Sequence, residues 1–264
     1  MKVLLSLVSI VLLWVGVASA AVVGDAVEVS ITTDSGWSLP FYTMRASHAL
    51  KKVYAEAVKG DHYRIAVRNK LDRRVGVVIA VDGRNIISGD KSWLRNTERM
   101  YILDPYASNE YSGWRTGQDR INRFYFTDVP DSYAAAFGDE SAIGVIAVTV
   151  YPEMRRYDPP PDLSYAVPEK PSQDAVKGKA AKSLRSEASE SAGTGFGREE
   201  YSPSHRVHFN PEARAMESIL IKYEWRDTLC SKKIINCGRT YGHSCNRFWD
   251  NEGFAPPPPC RLCN

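Results

Sequence analysis

Residues 74–89 read Arg74-Val-Gly-Val-Val-Ile-Ala-Val-Asp-Gly-Arg-Asn-Ile-Ile-Ser-Gly89. Val75 to Val81 is a nearly continuous run of apolar, mostly β-branched side chains, the pattern of a strand covered on both faces. Asp82-Gly83 follows at once, the dipeptide that supplies positive φ for a two-residue hairpin turn. The spacing predicts that Asn85 to Ser88 returns as the partner strand and that Gly89-Asp90 ends it. A hairpin of this kind belongs at the core of an all-β domain.

The flanking sequence agrees. Val27, Val29 and Ile31 alternate with polar neighbours, as do Tyr63, Ile65 and Val67, which is the period of a half-buried strand. Trp37 to Tyr42, broken by Pro40, reads as an edge or loop. Arg45 to Val58 fits a helical face or a strand. The preferred reading pairs its second half with His62–Asn69 in a hairpin through Lys59-Gly60-Asp61. Further strands are expected at Arg99–Leu103, at Asn122–Thr127 and at Ile143–Tyr151, the last buried and stopped by Pro152. Short strands with turn signals every 8–12 residues or so indicate a β-sandwich or barrel.

Composition changes after Glu153. From Tyr157-Asp-Pro-Pro-Pro-Asp162 to about Ala192 the chain is rich in Pro, Lys, Ala, Ser and Glu, and holds few large apolar residues. Such a segment cannot bury enough surface to offset its ordering entropy, so a disordered linker is expected. Order is expected to resume at Gly193-Thr-Gly-Phe-Gly197, a glycine turn that lacks the Lys-Ser/Thr ending of a phosphate-binding loop. His205–Phe209 and the alternating Ser218–Arg226 read as two strands. Such a pair is marginal alone and is expected to dock on the main domain.

The beginning of the chain has the marks of a secretory leader. Lys2 precedes an apolar stretch from Val3 to Val17, and Ala18-Ser19-Ala20 places small residues before a cleavage point at Ala21. The apolar stretch is too short to span a bilayer comfortably. The domain plan is therefore a leader (1–20), a β-sandwich-like domain (21–155), a linker (156–192), a C-terminal β-hairpin segment (193–229) and a Cys- and Pro-containing tail (230–264). With a formal charge of +3 over 264 residues and no long basic stripe, nothing points to nucleic acid. A second long apolar segment is also missing, so no stable membrane span is expected after leader cleavage.

All five cysteines, Cys230, Cys237, Cys245, Cys260 and Cys263, lie near the end of the chain. In an exported protein that position indicates disulfides stapling a segment too small for its own core. Zinc is the competing reading, from Cys260-Arg-Leu-Cys263 with His243 nearby, but the remaining gaps are irregular. The odd count leaves one thiol free or intermolecular. His205 and His208, flanked by prolines, fit a strand that would point them to opposite faces, so no metal site is expected there.

The most suggestive cluster is Gly113-Trp-Arg115 with Trp93, Tyr101, Tyr106 and Tyr111 close in sequence, and its binding candidates are Trp93, Tyr111, Trp114 and Arg115. Exposed aromatics beside an arginine stack on sugar rings or contact a protein partner. In the plainer reading Trp114 is a core aromatic with Arg115 at its rim. Neither Gly-x-Ser-x-Gly nor His-Glu-x-x-His occurs, and no catalytic residue or cofactor is indicated.

At Val81-Asp-Gly-Arg-Asn-Ile-Ile-Ser-Gly89, Gly113-Trp-Arg-Thr116, Arg123-Phe-Tyr-Phe-Thr127, Asp131-Ser-Tyr-Ala134 and Ile143-Gly-Val-Ile-Ala147 the chain resembles a family of exported bacterial proteins with no assigned activity. Gly193-Thr-Gly-Phe-Gly197 and Tyr223-Glu-Trp-Arg226 extend the resemblance. It implies a bacterial cell-envelope location, periplasmic or extracellular, and carries over no catalytic residue. The expectation is a non-catalytic binding or structural module with an envelope protein or glycan as partner. The alternative is an envelope glycan hydrolase that uses loop carboxylates near Trp114.

Overall fold

Val75–Val81 is a strand with every residue buried. The computed structural model that shows this describes residues 19–47, 49–155 and 191–237. The turn expected from Asp82-Gly83 is present, with φ of 50° and 79° at the two residues and Val81 paired with Arg84 across it. The returning strand is shorter than the pattern implied and stops at Asn85. The side chain of Asn85 explains this: its Oδ1 accepts hydrogen bonds from the N–H groups of Ile87 (2.9 Å) and Ser88 (3.3 Å) and curls the chain away.

The protein is all-β and sandwich-like. Its largest sheet runs Ser19–Ala20, Phe41–Ala46, Leu50–Ala57, Glu217–Trp225, Val145–Pro152, Val75–Val81 and Arg84–Asn85, with Tyr101–Leu103 also pairing with Val75–Val81. A second sheet joins Val27–Thr33, Tyr63–Asn69 and Ser108–Tyr111. Smaller sheets pair Gly113–Arg115, Arg120–Arg123 and Glu199–Tyr201, and Phe126–Asp128 with Ala192–Thr194. Inward residues of the two main sheets, including Val29, Ile31, Ile65, Val77, Val148 and Ile221, meet in one apolar core. Tyr63 stacks there between Phe126 (4.3 Å) and Phe124 (5.3 Å).

Two connections differ from the sequence reading. Leu50–Ala57 and Tyr63–Asn69 do not form a hairpin but belong to different sheets. The chain between them pairs instead with the Phe124–Phe126 region, through Gly60 N–H to Phe126 O (2.8 Å) and Phe126 N–H to Asp61 O (3.0 Å). Both strands carry a buried apolar face, and crossing between sheets lets both faces enter the same core. In the C-terminal segment, His205–Phe209 is irregular rather than a strand. Glu217–Trp225 is an interior strand, parallel to Leu50–Ala57 and antiparallel to Val145–Pro152.

The buried carboxylate of Glu217 ties the beginning of the domain to this strand. It accepts hydrogen bonds from the N–H groups of Asp25 and Ala26, both 2.8 Å, and of Val27 at 3.4 Å. After Trp225 a short helix, Arg226–Ser231, leads to a disulfide between Cys230 and Cys237. Cys245, Cys260 and Cys263 lie outside the described residues, as do residues 1–18 of the expected leader and 156–190 of the expected linker.

Candidate binding groove

The structure separates the four residues singled out in the sequence. Trp114 is a core residue at 2% exposure. Its ring meets Tyr133 at 4.4 Å and the edge of Phe124 at 5.2 Å, and its Nε1–H donates to Gly195 O at 3.0 Å. It therefore presents no face to a ligand, and the plainer reading holds. Trp93 is 67% exposed, with the Lys91 ammonium 5.6 Å from its ring, and stands apart from the groove. Tyr111 and Arg115 remain together, lining a groove of about 1210 Å³.

Two open sheet edges border this groove. Tyr101–Leu103 pairs only with Val75–Val81, and Ser108–Tyr111 only with Tyr63–Asn69, so the other edge of each carries no strand among the described residues. The segment Ser202–Pro211 supplies a further wall. One end is fixed by Ser202 N–H to Asp119 O and Ser204 N–H to Gln118 O, both 2.7 Å. Met154 N–H to Asn210 O (2.8 Å) and Glu212 N–H to Pro152 O (2.9 Å) fix the other. Phe209 packs over Gly76, where a Cβ would stand 2.8 Å from the ring.

Arg115 joins floor to wall. Its Nε donates to the Tyr101 hydroxyl at 2.9 Å and its Nη1 to Ser202 O at 2.9 Å, while Nη2 reaches Ser202 Oγ at 3.1 Å. Tyr101 stacks on Tyr111 at 4.2 Å between ring centres. Tyr111 is 7% exposed, and burial pushes its hydroxyl pKa up against the opposing pull of the neighbouring Asn109 side chain.

Three of the four acids that line the groove, Glu98, Asp104 and Glu110, are committed elsewhere, and Asp90 is the fourth. Burial pushes the Glu98 carboxyl up, but hydrogen bonds from Arg95 N–H, the Ser92 hydroxyl, Trp93 N–H and Asn85 together hold it below its ordinary value. These contacts shape the loop that presents Trp93. Asp104 faces Arg74 at 3.5 Å and Glu110 faces Arg64 at 3.2 Å. A glycosidase acid needs a raised value, and Glu98 moves the other way.

Asp82 was read from sequence as a turn residue alone, and it is also the hub of a buried network. Its carboxylate accepts from Gly144 N–H and Thr194 N–H, both 2.7 Å, and from the Tyr223 hydroxyl at 2.5 Å. Thr194 Oγ1 lies 2.7 Å from the Tyr223 hydroxyl and 2.8 Å from that of Tyr63. Proton counting fixes the direction. Tyr223 gives its single proton to the ionised carboxylate, so Thr194 donates to Tyr223, and Tyr63 to Thr194. Burial pushes the Asp82 carboxyl up to about 6 against the pull of these donors. The network locks the strands on either side of residues 156–190 to the first hairpin. No local pattern could have found it, because its members stand 112 and 141 residues from Asp82.

No protein-family model, curated protein or solved structure matches the chain. Among the described residues no helix is long and apolar enough to cross a membrane. No cluster of His, Cys, Asp and Glu there is arranged to hold a metal.

Proposed function

We propose that this chain is an exported protein of the bacterial cell envelope that acts as a non-catalytic binding module, with the groove beside Tyr111 as its ligand site. The observation that carries the reading is the groove of about 1210 Å³ itself, bordered by the open edges of Tyr101–Leu103 and Ser108–Tyr111 and by the segment Ser202–Pro211. Export is supported by the leader pattern of residues 1–20 and by the Cys230–Cys237 disulfide, a bond that persists in oxidising compartments. The glycan-hydrolase alternative has less support, since Glu98, Asp104 and Glu110 all have structural partners, which leaves Asp90 as a single acid where a glycosidase needs a pair.

The test pairs localisation with capture. The protein recovered from the envelope fraction begins at Ala21, and a protein retaining residues 1–20 in the cytoplasm overturns the export reading. Immobilised wild-type protein retains an envelope component that the Arg99→Glu/Arg206→Glu double variant releases. Both arginines line the groove and make no ion pair among the described residues, so this variant keeps its fold. Equal retention by the two proteins, or none by either, overturns the binding reading.

A further inference from the structure

We propose that the groove takes an extended polypeptide segment, held as an added strand by backbone hydrogen bonds; this rests on the groove being the binding site. Three stretches of backbone with open hydrogen-bonding positions border the same space. The outer edges of Tyr101–Leu103 and Ser108–Tyr111 carry no strand among the described residues. From His205 to Phe209, no backbone N–H finds a partner among the described residues, although the segment is fixed at both ends. The contact made there is to the carbonyl of His208, from Arg74 at 3.3 Å. Open edges are templates for strand addition, in which the main chain supplies affinity and alternate side chains supply specificity.

The same groove is poorly suited to the other envelope polymers. A sugar ring needs a free aromatic face, and the faces here are taken. Tyr101 has Tyr111 stacked at 4.2 Å and the Arg115 guanidinium 5.8 Å from its ring centre, and Phe209 has Arg74 at 5.6 Å. Trp114 is in the core. Arginine and carboxylate side chains line the groove in equal number, so a strongly charged polymer gains no net attraction. A main-chain ligand needs neither a sugar platform nor a charge excess.

A random-peptide library displayed on phage, panned on the purified protein, supplies the probe, and a cell-wall polysaccharide preparation is the comparison. Peptides are expected to enrich on wild type and to be lost on the Arg99→Glu/Arg206→Glu variant. An enriched peptide is then N-methylated on alternate residues in two complementary sets, which removes amide donors and keeps every side chain. One set is expected to lose affinity by about tenfold and the other by no more than about twofold, as a period-two ladder requires. Val207→Pro removes an unpaired N–H from the wall and is expected to weaken the parent peptide with an unchanged melting temperature. If that variant melts early, the N-methylated sets on wild-type protein decide alone. Two sets that bind like the parent peptide overturn the proposal. Polysaccharide binding that is lost in the double variant, with no peptide enriched, overturns the polypeptide ligand and leaves the groove standing. No groove-dependent binding of either probe overturns both.

Discussion

Replacing Asp82 by Asn removes a carboxyl that burial pushes from an ordinary value of 3.8 up to about 6 in the folded protein. Between those values the native state binds the proton more tightly than the unfolded chain does. The stabilisation from this group is therefore complete below about pH 4, falls as pH rises through 6, and is gone above. The shift corresponds to about 3 kcal/mol, and Asp82 is fully buried, so solvent screening takes little from it. Urea denaturation of wild type and Asp82→Asn between pH 4 and pH 7 measures the effect. The stability of wild type relative to the variant should fall by about 3 kcal/mol over that range. Asp34, Glu98 and Asp139, which have lowered values and the opposite pH trend, are present in both proteins and cancel. Tyr223→Phe removes a donor to the carboxylate and should carry the decline to higher pH. Parallel stability curves for wild type and Asp82→Asn would refute the reasoning.

Other outcomes follow from the same structure. Trp114→Ala should cost about 3–5 kcal/mol by chemical denaturation, whereas the exposed Trp93→Ala should stay within about 0.5 kcal/mol of wild type. Glu217→Ala removes the acceptor that three N–H groups share and should cost roughly 2–4 kcal/mol, with Glu217→Gln milder. Loss of the Cys230–Cys237 bond, which closes a loop of sequence separation 7, should cost about 2 kcal/mol. Non-reducing mass analysis after alkylation should leave both of these cysteines unmodified, and labelling of either would count against the bond.

Along single strands the sequence was a good guide. The alternation of Val27, Val29 and Ile31, and of Tyr63, Ile65 and Val67, marks residues that the structure leaves 0% exposed. The run Val75–Val81 marked a strand buried on both faces, and Asp82-Gly83 marked its turn. These signals are local, because side-chain period and turn dihedrals depend on neighbours in the chain.

Partnership between distant segments was settled only in three dimensions. The alternation of Glu217–Trp225 reveals a strand, but not that it enters the sheet parallel to Leu50–Ala57. Nor does it show that Tyr223 meets Asp82 across 141 positions. Trp93, Tyr111, Trp114 and Arg115 look alike as a cluster in sequence. Tertiary packing assigns one to solvent, one to the core and two to the groove. Hydrophobicity sets which residues seek burial, while sheet order sets which edges remain open. Sheet order depends on contacts spread over the whole chain, so the groove could emerge only once every strand had its neighbour.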